Sequence, residues 1–149
     1  MTTPISPDVF GRGLLMDDGD LVLDGGDLGE VTGLANLVQA LTLRVLTPFG
    51  SDRFNTGYGL DVTQAFTLAN SARMTKELLR LSLVATLATD PRVSEVRQVT
   101  FDDDPERLAA GQDAVDRART ARIRRAWTVE ADLQTVADAP VTLNLNVEV

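Results

Sequence analysis

The chain has 149 residues, of which 44% are hydrophobic, and its 22 acidic and 14 basic residues give a net charge of −8. This composition is typical of one globular domain, and the negative charge disfavours a nucleic-acid partner because the phosphates would be repelled. The chain has no cysteine and no histidine, which excludes a disulfide framework, a thiolate metal site and a Ser-His-Asp triad.

We expect no targeting signal in the first residues. Residues 1–10 lack a basic cluster and an apolar core, so we do not expect a signal peptide. Apolar stretches elsewhere are too short for a transmembrane helix, and we expect a protein that is cytoplasmic when made. We interpret residues 1–13, which contain two prolines and two glycines, as an extended N-terminal arm, and residues 14–149 as a single domain.

Acidic turns separate short apolar runs after the arm. Residues 17–20 contain Asp-Gly, a hairpin signal, and residues 24–27 predict a second turn. An EF-hand calcium loop fits poorly, because aligning Asp20 with its first position puts Val31 where the bidentate Glu belongs. We therefore predict acidic turns between short strands, and we find no internal repeat.

Two amphipathic helices are predicted next. Residues 32–47 carry apolar residues at helical spacing, with Thr32 as the N-cap, and Pro48 ends the helix. Asn70 or Ser71 begins a second helix that runs to about Ala88. The inward face of this second helix is predicted to consist of Met74, Leu78, Leu81, Val84 with Ala85, and either Leu87 or Ala88.

Three strands follow the helices. Residues 93–101 form the first, and strict alternation around Trp127 and around Leu143 predicts a hairpin whose last strand runs to the final residue. The acidic run 102–106 is interpreted as a solvated turn or helix start, and the arginines of 117–125 could pair with it or with an acidic neighbour. The order predicts an α+β fold: short N-terminal strands, two helices joined by a Gly-rich loop, and a three-stranded antiparallel sheet.

The final strand is the first candidate interaction site. A terminal strand can leave a sheet edge open, and an open edge is a template for an incoming chain.

The loop between the helices is the second candidate. It carries the pattern Gly50-x-x-Arg53-x-Asn55-x-x-Tyr58-Gly59. Two interpretations are open, because the Arg53 guanidinium can bind a partner carboxylate or carbonyl groups of its own loop.

This loop, followed by a helix and Asp90-Pro91-Arg92-Val93, resembles the small baseplate wedge family of contractile injection machines, also called the sheath initiator. The family occurs in contractile phage tails, type VI secretion systems, pyocins and extracellular injection particles. The resemblance covers about residues 33–149. Two positions depart from the pattern: Ser51 stands where the family usually has an acidic residue, and Thr56 where it usually has proline.

The resemblance implies a structural protein that links the wedge to the first sheath ring. The loop residues Gly50, Arg53, Asn55, Tyr58 and Gly59 would contact other wedge subunits. The last strand would accept sheath strands, with Val141, Leu143, Leu145, Val147 and Val149 as its site residues. Tube, spike or hub proteins are further implied partners. The particle is expected to hold multiple copies of the chain, with six as the expected number. We expect neither nucleic acid nor a membrane as a partner.

Some members of this family carry a lysozyme-like label. Glycoside hydrolysis needs a pair of carboxyl groups, one with a raised pKa, and the loop offers only Asp52 and Asp61. We therefore expect no enzymatic activity, no catalytic residue, no metal and no cofactor. The alternative function is a small adaptor or ligand-binding module built on the same α+β core.

Overall fold

A computed structural model of the protein describes residues 7–68, 71–105, 116, 119 and 126–148. The helices are α1 Gly33–Leu46, α2 Thr63–Thr67 and α3 Ala72–Ala88. The strands are β1 Arg12–Leu14, β2 Met16–Asp17, β3 Asp20–Leu21, β4 Leu23–Asp24, β5 Asp27–Leu28, β6 Glu30–Thr32, β7 Val93–Phe101, β8 Ala126–Thr135 and β9 Pro140–Glu148. The predicted α+β class is confirmed.

The main sheet is antiparallel, with strands in the order β7-β8-β9. Strands β8 and β9 pair without interruption from Ala126 opposite Glu148 to Gln134 opposite Pro140. Strand β7 is less regular, since its register against β8 shifts twice. The predicted C-terminal three-stranded sheet is therefore confirmed.

The core lies between this sheet and two helices. Helix α1 packs against β9 and α3 packs against β7. Alternate residues of β9 are buried, as its strict alternation predicts. The helices contribute Leu37, Leu41, Val45, Leu79, Leu83 and Leu87 to this layer.

Helix α3 begins as expected, but it buries a different face from the predicted one. The Ser71 hydroxyl accepts a hydrogen bond from the Met74 N–H and caps the helix. The buried residues are Thr75, Leu79, Leu83, Thr86 and Leu87. Leu87 is buried as predicted, but the prediction is wrong at Met74, Leu81 and Val84, which lie on the exposed side because the helix carries a second apolar stripe.

The N-terminal segment differs from the extended arm expected from the sequence. Pro7–Phe10 form a 3-10 turn, and Phe10 is buried in the core. The Phe10 carbonyl accepts hydrogen bonds from the Asn36 amide and the Arg92 guanidinium. The buried Phe10 side chain, together with a carbonyl that accepts two hydrogen bonds, fixes the segment against α1. Residues 1–6 lie outside the described ones.

Residues 12–32 form three small antiparallel strand pairs, two of them hairpins, which together we call the hairpin module. Strands β2 and β3 form the first, β4 and β5 the second, and β1 with β6 the third. The hairpins meet where Leu15 donates to the Gly29 carbonyl, Val22 to the Leu15 carbonyl and Gly29 to the Val22 carbonyl. The predicted acidic turns are confirmed, because Asp18-Gly19 and Gly25-Gly26 have the positive φ values of hairpin turns.

The module contains an internal repeat, so the prediction that there is none is wrong. Residues 15–21 read LMDDGDL and residues 22–28 read VLDGGDL. Each heptad forms one hairpin. The residues that bond the strand pairs together, Leu15, Val22 and Gly29, are spaced by seven positions. Two copies of seven residues are too short to be recognised in the sequence alone. The repeat becomes clear from the hydrogen bonds among Leu15, Val22 and Gly29.

Candidate partner-binding surfaces

The loop between α1 and α2 is ordered by its own backbone. The Leu60 N–H donates to the Thr47 carbonyl, and the Phe49 N–H donates to the Leu60 carbonyl. At the tip, one Asp52 carboxylate oxygen accepts from the N–H groups of Phe54 and Asn55. These bonds present a defined loop conformation on the outside of the fold.

Three motif residues of the loop serve its architecture. Gly59 is buried and has a φ of +108°, and a Cβ there would lie 2.5 Å from the Thr47 carbonyl oxygen. Gly50 has a φ of +74° and donates its N–H to the Tyr58 carbonyl. The Tyr58 ring is half-buried, and the Arg44 guanidinium lies over it, with the guanidinium carbon 4.7 Å from the ring centroid.

The tip of the loop carries the side chains that face outward. Arg53 and Asn55 are exposed, and the Arg53 guanidinium makes no hydrogen bond or ion pair with any described residue. Phe54 is 99% exposed. Sequence reasoning missed Phe54, although an aromatic residue inside a polar, Gly-rich loop was the available signal.

The second motif of the resemblance, Asp90-Pro91-Arg92-Val93, meets the loop through Arg44. The buried Asp90 carboxylate accepts from Arg92 Nε at 2.9 Å and Arg92 Nη2 at 2.8 Å. Arg44 Nη2 lies 3.9 Å from the same carboxylate. Arg44 was also missed, and its place in the last turn of α1, where a cation suits the helix dipole, was the signal.

This cluster shifts the pKa of its members. Hydrogen bonds from the Arg92 side chain lower the pKa of Asp90 more than burial raises it. Burial raises the pKa of Tyr58, against the opposing charge of Arg44. The cluster therefore holds Asp90 ionised and joins α1, the loop, the end of α3 and the start of β7.

The apolar side chains proposed for the last strand point into the core. Val141, Leu143, Leu145 and Val147 are all buried, and Val149 lies outside the described residues. An incoming chain would therefore meet the backbone of β9 and not these side chains. The polar face, with Thr142, Asn144 and Asn146, is exposed.

The hydrogen-bond pattern identifies the free backbone groups of β9. The Thr135 N–H donates to the Ala139 carbonyl, and bonded pairs alternate along an antiparallel ladder. Residues 141, 143, 145 and 147 therefore bond to β8. The N–H and C=O groups of Thr142, Asn144, Asn146 and Glu148 point away from β8, where the described part of the chain provides no further strand.

The acidic run after β7 is not solvated as predicted, because Asp103 and Asp104 are buried. Lys76 Nζ lies 3.2 Å from Asp103 Oδ1 and 2.7 Å from Asp104 Oδ1. Arg80 Nη2 lies 3.1 Å from Asp104 Oδ2. The prediction failed because these cations lie on α3, distant in sequence. Most of the predicted arginine cluster 117–125 lies outside the described residues.

Burial acts differently on two carboxyl groups of this run. At Asp104, burial disfavours the charged form, but hydrogen bonds from Lys76 and the Phe101 N–H outweigh it and lower the pKa. At Asp102, burial dominates and raises the pKa.

A groove of about 860 Å³ lies between α3, β7 and this turn. Its walls include Arg73, Lys76, Arg80, Gln98, Asp104 and Trp127. Lys76, Arg80 and Asp104 bind one another across it, so these charges are already neutralised within the protein.

The two loop carboxylates considered for hydrolysis cap local backbone. Asp52 binds the N–H groups at the loop tip, and Asp61 accepts from the Thr63 N–H at 2.9 Å. Hydrogen bonds from Thr63 lower the pKa of Asp61, which is the opposite of the shift that a general acid requires.

None of the helices in the described part is long and apolar enough to cross a bilayer. Within the same residues, no group of three or more acidic side chains is arranged to hold a metal ion. Comparison with protein-family models, with curated proteins and with solved structures gave no match.

Proposed function

We propose that the chain is a structural baseplate component of a contractile injection machine, where it joins the wedge to the first sheath ring and begins sheath assembly by strand addition. The resemblance of the loop motif and of residues 90–93 supports this proposal. The observation that carries it is the regular edge of β9, which no strand in the described part of the chain covers.

The two edges of the sheet are not equivalent. The register shifts in β7 are irregularities that protect an edge from pairing. Strand β9 keeps its register over its whole length, so its outward N–H and C=O groups form an evenly spaced row. Pro140, which lacks an N–H, stands at the start of this row and leaves the donors beyond it intact.

The proposed partner at this edge is the sheath protein, which would supply one β-strand. Main-chain hydrogen bonds provide affinity in such strand addition, and alternate side chains provide specificity. Because Asn144 and Asn146 alternate with buried residues, the incoming strand would continue a polar outer face and an apolar inner face.

The loop tip is the proposed contact with the other wedge subunits. Arg53 has an exposed guanidinium that bonds to no described residue, and Phe54 has an exposed ring; arginine and aromatic residues are enriched at binding hot spots. The hydrogen bonds of Asp52 order the loop tip before a partner binds, which reduces the entropy lost on binding.

The test uses Asn144, whose N–H faces the open edge. Asn144→Pro removes that donor without removing a bond to β8, and Asn144→Ala keeps it. With the purified chain and a purified sheath protein from the same source, electron microscopy and light scattering should show sheath nucleation about tenfold slower for the proline variant, as expected for the loss of about one hydrogen bond.

Circular dichroism and thermal melting must show that both variants are folded. A folded Asn144→Pro protein that nucleates sheath as fast as Asn144→Ala would contradict strand addition at β9.

A further inference from the structure

Helix α3 carries a second apolar stripe on the side that faces away from the core. Its residues recur at intervals of four and three, which places them on one face of the helix: Met74, Leu78, Leu81, Ala85 and Ala88. Leu81 is 66% exposed and Met74 is 46% exposed. Both alanines are exposed as well, and Leu78 is half-buried. The stripe stays accessible although α1, α2 and β7 all pack against α3.

The outer side of α3 is also poor in charge. From Leu81 to Ala88 the helix has no charged residue, and Val84, beside the stripe, is 36% exposed. A surface helix normally carries charged or polar residues opposite its buried face, whereas a helix that is apolar all round is one that is covered all round. The stripe therefore has the composition of a contact surface.

The shape of the stripe is complementary to itself when two copies run antiparallel. The N-terminal half carries the large side chains of Met74, Leu78 and Leu81, and the C-terminal half carries only Ala85 and Ala88. In an antiparallel pair, Met74 of one copy would pack over Ala85 of the other, and Leu78 would pack against Leu81. A parallel pair would set large residues against each other at one end and alanines at the other, which splays the helices.

The charges of α3 favour the same orientation. Arg73 lies in the first turn of the helix, which has no acidic residue, so its cation stands at the positive end of the helix dipole. Arg73 is exposed and bonds to no described residue. A parallel pair would bring two such ends together, whereas an antiparallel pair separates them and sets each beside the negative end of the other dipole.

We infer that two copies of this chain pair antiparallel through the outer face of α3, around a two-fold axis between Leu78 and Leu81. The same stripe supplies both sides of such an interface. Two packed helices of about 25 Å bury on the order of 1,000 Å², which is the low end for a specific interface. The net charge of −8 opposes association, so the dimer is weak and reversible. This pairing does not depend on the function proposed for β9.

Sedimentation equilibrium of the purified full chain tests the pairing. Between about 5 and 500 µM we expect a change from monomer to mostly dimer, with a dissociation constant of about 10–100 µM. A monomer throughout this range would overturn the inference and would leave a different protein to cover the stripe. An oligomer larger than a dimer would also overturn it, because an interface of this symmetry closes at two copies.

Two matched variants locate the interface. Leu81→Glu and Leu23→Glu each place a carboxylate at an exposed leucine, the first on the stripe and the second, 71% exposed, in the hairpin module. Leu81→Glu should weaken pairing at least about tenfold, and Leu23→Glu should pair as the unaltered chain does. Ala85→Glu is a second variant on the stripe with the same expected effect. Circular dichroism verifies that the variants are folded, and equal pairing by all three would contradict the assignment to α3.

Cysteine cross-linking tests the orientation, because the chain has no cysteine of its own. In the antiparallel pair Met74 lies opposite Ala85, whereas the two copies of Met74 are about 16 Å apart along the helices. A mixture of Met74→Cys and Ala85→Cys proteins should therefore form a mixed disulfide dimer under mild oxidation, identified by its mass. Absence of the mixed dimer, or disulfide dimers formed by Met74→Cys alone, would contradict antiparallel pairing.

Discussion

At the scale of single residues, the loop motif separates into two roles. Gly59 and Tyr58 hold the loop against α1, the first by a backbone approach that only glycine permits and the second by packing under Arg44. Arg53 and Phe54 face outward. A motif read from sequence mixes these roles, because spacing along a loop does not say which side chains turn inward.

Gly59→Ala should destabilise the fold. The new Cβ would meet the Thr47 carbonyl at 2.5 Å, and the φ of +108° is unfavourable for alanine, so we expect a loss of about 1–3 kcal/mol in the free energy of unfolding. Gly57→Ala is the matched control in the same loop, since the nearest atom to its Cβ would be 3.8 Å away. Urea unfolding of both variants measures the difference, and equal stabilities would contradict the role given to Gly59.

At the scale of elements, α3 shows where local pattern stops being informative. Its sequence carries one apolar stripe through Met74 and Leu81 and another through Leu79 and Leu83. Both stripes have helical spacing, so periodicity alone cannot choose between them. The choice is made by the sheet, because the side chains that fit against β7 are those of the second stripe.

Leu83→Ala and Leu81→Ala should therefore differ strongly in stability. Leu83 is fully buried, and its truncation should cost about 2–5 kcal/mol because it leaves a cavity. Leu81 is mostly exposed, so its truncation should change the free energy of unfolding by less than about 0.5 kcal/mol. Thermal and chemical unfolding of the two variants provide the measurement. A larger loss for Leu81→Ala would mean that the predicted face is the buried one.

At the scale of the whole molecule, two carboxylate clusters join elements that are distant in sequence. Asp90 connects the end of α3 to α1 and to the start of β7 through Arg44 and Arg92. Asp104 connects the turn after β7 to α3 through Lys76 and Arg80. Both carboxyl groups have a lowered pKa in the folded protein. Their protonation in acid therefore lowers the free energy of unfolding of the whole domain.

Stability should fall in acid. Because the folded pKa values of Asp90 and Asp104 lie below the ordinary value of 3.8, their stabilisation is present above pH 3.8 and is lost as the pH falls through the folded values. Asp90→Asn should be less stable at pH 7 and should lose less stability between pH 5 and pH 2, as measured by urea unfolding across that range. Asp24→Asn, at an exposed position without an ion pair among the described residues, should stay within about 0.5 kcal/mol of the unaltered chain at pH 7. An Asp90→Asn protein with an unchanged acid profile would contradict this account.

The parts of the fold that the sequence predicted are those fixed by neighbouring residues. Alternation predicted the last two strands, Ser71 and Pro48 were the helix boundary signals, and Asp-Gly predicted a hairpin turn. The parts that it did not predict depend on distant partners. The burial of Asp103 and Asp104 requires Lys76, and the role of Arg44 requires Asp90, which lies 46 positions further along the chain. Of the candidate site, the terminal strand and the loop were predicted, whereas Phe54 was not.

The local character of the hairpin module also orders the events of folding. The hydrogen bonds and strand pairs of the module join residues no more than 20 positions apart. Strands β7 and β8 pair over longer separations, since Phe101 lies opposite Val129. Short-range contacts close faster than long-range ones. We therefore expect the acidic hairpins to form before the three-stranded sheet, whose strands β8 and β9 are made later during synthesis.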